Sequence, residues 1–290
     1  MELNSEIIDT PPRDAATVIL LRDSTEGLQV LLLRRHQASS VLGGAYVFPG
    51  GKLDDADQHP ALIARLSEDS AALRVRLAET DIPPERAAGL YVAALREAFE
   101  ECRVLPGQAD AVPVQALQDA LAAGKGWADA LHTLGLQLHT EGLVPWSRWI
   151  TPRQPSVTNK RFDTRFFISQ VPHDQTAEHD NHEATDSLWI GPREALTRYW
   201  AGQIEMAPPQ IMSLAHLSRH TNAHSVLAEA RLRQPPVVQP EAFDNQGVRT
   251  ICYPGDPRHS VAQPAFPGPS RLIFNNKRFE PEGGLHALFD

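Results

Sequence analysis

The stretch Ala93-Ala94-Leu95-Arg96-Glu97-Ala98-Phe99-Glu100-Glu101-Cys102 constrains this chain most. At helical spacing Leu95, Ala98, Phe99 and Cys102 share one face, and Glu97, Glu100 and Glu101 share another, because residues three and four apart are neighbours. The apolar face needs a layer to pack on. The acidic face works against the helix itself. Like charges at this spacing cost roughly 0.2–0.5 kcal/mol per pair, and the carboxylates sit toward the C-terminal end, where the helix dipole disfavours anions. Such a face is either a solvated surface or a seat for a cation. An oxygen-only donor set selects a hard ion such as Mg²⁺ or Mn²⁺.

The pattern around this helix alternates strands and helices. Two apolar runs, Ala15–Leu21 and Leu28–Leu33, flank Asp23-Ser24-Thr25-Glu26-Gly27 and predict a β-hairpin with a five-residue loop. A short strand follows, ending in Phe48-Pro49-Gly50-Gly51. Apolar spacing predicts one helix over Pro60–Glu79 and a second from Pro84 to Cys102, with proline tolerated in its first turn. Shorter helices are expected over 114–121 and 126–134, and strands over Leu143–Thr151, Lys160–Gln170 and Ser187–Ile190. Residues 209–232 read as helical.

Residues 1–14 read as an arm. The tail from 234 to 290 is dense in proline (Pro235, Pro236, Pro240, Pro264, Pro267 and Pro269 among them) with strands at Val248–Tyr253 and Arg271–Phe274 and a hairpin turn at Asn275-Asn276. It is expected to pack as an extended strap on the domain 15–233 or on a dimer partner.

Charge narrows the partners. A formal net charge of −9 lacks the basic footprint of a nucleic-acid binder, yet it is compatible with a phosphorylated small molecule bound through a divalent cation. The run Ala15–Leu21 is too short to span a membrane, and the N-terminus carries Glu2, Glu6, Asp9 and Asp14 in place of a secretory core. Cys102 and Cys252 form no Cys-x-x-Cys pair. A cytoplasmic protein is the expectation.

The glycine turn and the acidic helix together resemble the box of the Nudix hydrolases, G-x5-E-x7-R-E-U-x-E-E-x-G-U, where U is aliphatic. Gly51, preceded by Phe48-Pro49-Gly50, fills the first glycine. Asp57 stands in the glutamate place, and Arg96-Glu97-Ala98-Phe99-Glu100-Glu101 matches R-E-U-x-E-E. Residues 58–95 separate the halves, 38 positions where the family has 7. Closure entropy grows slowly with loop length, so such an insertion is tolerated. The interrupted box and the phrase Arg161-Phe162-Asp163-Thr164-Arg165-Phe166-Phe167 resemble the branch that includes an acyl-coenzyme-A diphosphatase.

The resemblance implies an α/β fold, a Nudix-type α/β/α sandwich on a mixed β-sheet, with a helical insertion and a proline-rich extension. It implies metal-dependent hydrolysis of a diphosphate bond in a nucleoside-diphosphate-X substrate, coenzyme A or acyl-coenzyme A first. NADH or ADP-ribose hydrolysis, and a catalytically silent nucleotide-binding module, are the alternatives. Glu100 and Glu101 become metal ligands for Mg²⁺ or Mn²⁺, Glu97 is a third ligand or helps to activate water, and Arg96 orients a carboxylate by a salt bridge. Two positions depart from the pattern. Asp57 is one methylene short, and Arg103 replaces the box's late glycine, so either the helix runs on to Val104 or a left-handed arginine costs roughly 1–2 kcal/mol.

Further candidates lie outside the box. Glu183 precedes Trp189 in the family's E-x5-W arrangement, as general base, extra ligand or solvated loop residue. His173, His179 and His182 lack the spacing of a zinc site. On a strand, Arg161 and Arg165 share a face with Asp163, opposite Phe162, Thr164 and Phe166. That arginine face suits either diphosphate binding or a structural ladder. Arg35, followed by His36 and Ser40, partly matches a coenzyme-A signature and joins Gly50 and Gly51 as a substrate-binding candidate. Leu62, Ile63, Leu66, Leu73 and Leu77 of the insertion read as core in preference to an acyl-chain site.

Overall fold

The computed structural model describes residues 6–290 except 38, 40–41, 109–110, 156–159 and 179–183. Its centre is β1 (Arg13–Ser24), buried on both faces. Alternate residues serve opposite sides. Ala16, Val18 and Leu20 join one core cluster, while Ile19 and Leu21 join the other, as the two-residue period of a strand demands. β1 turns into β2 (Gly27–Arg35) with Ser24 opposite Gly27. The hairpin is therefore tighter than the five-residue loop expected, because Gly27 at φ +106° lets the ladder close next to the turn.

β3 (Tyr46–Val47) pairs with β2, and β4 (Gly50–Lys52) pairs with β1. β5 (Val144–Ile150), β6 (Phe162–Gln170), β7 (Ala184–Ile190) and β8 (Val237–Val238) complete an eight-stranded sheet of core order β3-β2-β1-β6-β5-β8. β1 runs parallel to β6 and β5 parallel to β8, while the other pairs are antiparallel. Helices cover both faces, giving the expected α/β/α sandwich with a mixed sheet.

On one face lie α1 (Pro60–Ile63), α2 (Ser70–Leu77), α3 (Pro84–Cys102), α4 (Ala111–Ala122) and α5 (Trp127–Leu134). The helix expected over Pro60–Glu79 is split. Asp69 accepts from the Ala72 amide and caps α2 afresh, and Leu66 bridges to Leu138 between the two helices. The insertion is core, as its leucines implied. Leu62, Leu66, Leu73 and Leu77 are buried beneath α3, with Ile63 packed alongside.

On the other face lie α6 (Pro192–Trp200), α7 (Pro208–Leu217) and α8 (Ala223–Leu232). The last two replace the single helix expected over 209–232, because Asn222 caps α8 through the Ser225 amide. His216 and His220 both face the Glu229 carboxylate, at 2.8 and 3.0 Å, and Arg233 donates to the same group. Burial lowers the His216 pKa to about 4, against the pull of Glu229, so the folded chain favours the neutral imidazole. The unfolded imidazole titrates near 6.5. A depressed folded pKa places the stabilisation above that value, and it is lost as pH falls toward the folded pKa. Urea midpoints should accordingly drop between pH ~6.5 and ~4, and His216→Asn should make the decline shallower. An unchanged slope in that variant contradicts the assignment.

The tail is not an extended strap. Residues 241–281 form a second antiparallel sheet of β9 (Glu241–Asn245), β10 (Val248–Cys252), β11 (Arg271–Asn275) and β12 (Arg278–Pro281). Its last hairpin turns on Asn276-Lys277, one residue later than expected. Both residues take positive φ, as a two-residue hairpin turn of the primed type requires. Tyr199 pins this sheet to α6, donating to the Phe279 carbonyl at 2.8 Å, and Ile251, Tyr253, Leu272 and Phe279 enter the main core.

Candidate active site

α3 begins with Pro84 in its first turn and ends at Cys102, the limits its sequence implied. Arg103 follows in the left-handed conformation (φ 59°, ψ 23°). The box's glycine position therefore keeps its backbone geometry although the side chain has changed, and the helix does not run on to Val104. Arg103→Gly should raise stability by about 1 kcal/mol, read as a higher urea midpoint. A lower midpoint would show that the arginine side chain stabilises more than the strain costs.

Arg96 organises the acidic face. Its Nε and Nη2 donate to both oxygens of Asp57 at 2.8 and 2.9 Å. Asp57 is almost wholly buried and also accepts from the Asp54 amide at 2.9 Å. The shorter side chain thus reaches the arginine in the bidentate geometry that makes such pairs strong. Arg96 Nη1 donates to Glu97 at 2.9 Å and Glu100 at 3.0 Å. Burial alone would lower the Arg96 pKa, but the Asp57 hydrogen bonds and the surrounding carboxylates raise it above its ordinary value. One guanidinium thus serves Asp57, Glu97 and Glu100.

Glu101 is held separately. It is buried and accepts from the Gly50 amide at 2.9 Å. The two glycines keep the turn this close to Glu97 and to β1. A Cβ on Gly51 would lie 2.2 Å from the Glu97 carboxylate, and one on Gly50 would lie 2.4 Å from the Ala16 carbonyl oxygen. Glu100 also takes a hydrogen bond from the Trp127 indole at 2.9 Å, and that ring packs edge-on against Phe99. Sequence reasoning missed Trp127, because it belongs to a separate helix far beyond the box and carries no motif of its own.

Glu97 opens into a cleft of about 660 Å³. Gly50, Gly51 and Arg35, three of the substrate-binding candidates, line it, and Arg13, Lys52 and Lys160 add further cationic side chains that the sequence did not single out. The Arg35 Nε is buried with no hydrogen-bond partner among the described residues, an arrangement that suits an anionic ligand. Glu183 lies outside the described residues, as do His179, His182 and Ser40.

The candidate face of β6 is reversed. Phe162, Thr164 and Phe166 line the cleft, and the arginine face is structural. Arg165 is buried, donating to both Glu79 oxygens at 2.8 and 2.5 Å and to Asp14. Arg148 pairs with Asp163 at 2.6 Å and Glu79 at 3.0 Å. Arg161 donates to the Thr151 and Thr10 carbonyls, both at 3.1 Å, and ties down the N-terminal arm. The reversal has a physical reason. Glu79, from the insertion, supplies a buried carboxylate that the strand pattern alone does not reveal.

The chain is similar to known proteins. A family model described as the NUDT19 Nudix domain matches residues 85–217, which include the whole acidic helix face. The acyl-coenzyme A diphosphatase NUDT19 of Xenopus laevis is 29% identical over 234 residues, covering 68% of this chain and 61% of that protein. The human protein of the same name is 29% identical over 233 residues, covering 67% and 61%. The chain thus spans about three fifths of the length of these two relatives. The crystal structure of a NUDIX hydrolase from Alicyclobacillus acidocaldarius superposes with a TM-score of 0.55 at 29% identity, over 76% of this chain and 97% of that one. With its sandwich fold, its split box and these relatives, the chain has the fold of the Nudix hydrolases and resembles their NUDT19 branch.

Proposed function

We propose that this chain hydrolyses the diphosphate of coenzyme A or an acyl-coenzyme A, giving 3′,5′-ADP and a phosphopantetheine or its acyl ester. The observation that carries the reading is the meeting of the glutamate helix with a cleft lined by cations. Glu97 stands at the junction, and Arg13, Arg35, Lys52 and Lys160 line the same space.

Glu97, Glu100 and Glu101 are the residues to hold Mg²⁺ or Mn²⁺. Their donor set is carboxylate only, and the glycine pair leaves room for it. A bound cation supplies Lewis-acid stabilisation and lowers the pKa of a bound water. The chain's own contribution is positioning. Arg96 fixes Glu97 and Glu100, the Gly50 amide fixes Glu101, and Trp127 steadies the far oxygen of Glu100. Arg35 Nε, with no hydrogen-bond partner among the described residues, offers a donor to a phosphate oxygen. Such reactions ask a protein chiefly for orientation and electrostatics. Glu183 is the proposed general base or additional ligand. It precedes β7, whose first residue Ala184 pairs with cleft-lining Arg35.

The test is product analysis by mass with Mg²⁺ present, using coenzyme A, acyl-coenzyme A, NADH, ADP-ribose and diadenosine polyphosphates. Release of 3′,5′-ADP from coenzyme A or its ester supports the reading. Cleavage confined to NADH or ADP-ribose replaces it, and metal-dependent binding without turnover points to a silent module.

A further inference from the structure

One wall of the cleft comes from the C-terminal sheet, a part of the chain outside the box, the sandwich and the matched family segment. Pro240, Ala242 and Ile251 line the cleft. Ala242 and Ile251 are direct cross-strand partners on β9 and β10, so their side chains stand on the same face of that sheet.

This wall is fixed to the floor of the cleft. Trp149 lines the same space. Its indole donates to Ser147 Oγ at 3.1 Å. Phe266 stacks on it at 5.8 Å with an interplanar angle of 18°, and Tyr253 meets it edge-on at 5.9 Å. Both aromatic partners belong to the C-terminal region. Val238 of β8 pairs with Trp149 through the backbone, so the chain enters the second sheet already registered against the cleft. The cleft therefore carries two chemistries. Glu97, the glycine pair and the cations serve a diphosphate, and the tail-built wall with Trp149 and Phe166 is apolar.

We infer that the C-terminal sheet is the specificity wall of the active site, and that Ala242 and Ile251 select an apolar arm attached beyond the diphosphate. The occupant is the acyl end of a thioester in preference to a second nucleoside. An aliphatic wall rewards buried methylenes, at roughly 0.8 kcal/mol each, and offers a second base few hydrogen-bond partners. Ala242 is the gauge of this wall, because its small side chain leaves the width that a chain needs. The inference rests on the coenzyme-A reading above.

The experiment compares full-length wild type with Ala242→Leu and Ala242→Trp, on coenzyme A and on esters of increasing acyl length. The readout is the ratio of kcat/KM for each ester to that for coenzyme A. The expected result is a ratio that falls as the side chain grows, by at least roughly tenfold for the longest ester with tryptophan, chiefly through KM. The leucine variant keeps the test decisive if the tryptophan variant does not fold. Turnover of both substrate types with an unchanged ratio in the leucine variant overturns the inference and leaves the coenzyme-A reading intact. No wild-type turnover of coenzyme A or any ester overturns both.

Discussion

Glu101→Gln lowers kcat by about two to three orders of magnitude, the loss typical of removing one preorganised electrostatic element. A glutamine oxygen still accepts from the Gly50 amide, which Glu101 does at 2.9 Å, so the junction between β4 and α3 survives. Only the negative charge is lost. A residue whose role is structural would give a folded enzyme with nearly unaltered kcat, and a metal ligand gives a folded enzyme that has lost most of its turnover. Steady-state kinetics at saturating Mg²⁺, with a urea midpoint on the same preparation, separates the two. Wild-type kcat in this variant would remove Glu101 from the site.

Arg165→Met destabilises the fold by about 3 kcal/mol, because it removes the buried cation shared by Glu79 and Asp14 and leaves Glu79 to Arg148 and Asp14 to Arg86. Arg165 is only 2% exposed and holds Glu79, Asp14 and the Asp163 carbonyl together. Glu79 belongs to the insertion and Asp14 to the start of β1, so this one guanidinium joins the interrupting segment to the central sheet. Its proton affinity is raised above the ordinary value, against burial, by Glu79, Asp163 and Asp14. The measurement is urea unfolding of Arg165→Met, Glu79→Gln and the double variant. The double variant should lose less than the two single losses combined, since the pair shares one interaction. A normal midpoint with a raised KM would instead return Arg165 to the substrate.

The residues that make the fold legible are those whose neighbours lie close in sequence. The acidic face of α3, its limits at Pro84 and Cys102, the β1–β2 hairpin and the glycine turn all follow from period, capping and turn chemistry. The insertion's leucines declared themselves as core by helical spacing. Long-range charge pairing was not legible. Arg165 looks the same on a strand whether it meets a phosphate or Glu79, and only the tertiary position of the segment that follows α2 decides between them. The second sheet was legible only in part. Two of its strands and its last hairpin follow from the sequence, but β9 and the pairing of β10 with β11 across the proline-rich segment between Cys252 and Arg271 do not. For that reason the contribution of Ile251 and Ala242 to the cleft appears only in three dimensions.

The most direct test of a metal-dependent diphosphatase is turnover of acyl-coenzyme A by enzyme stripped of divalent ions with a chelator, while Mg²⁺ is titrated back. No 3′,5′-ADP should appear in the stripped enzyme, and its release should rise saturably with Mg²⁺, with Mn²⁺ able to substitute. Hydrolysis undiminished by chelation, or none at any concentration of either ion, would contradict the account.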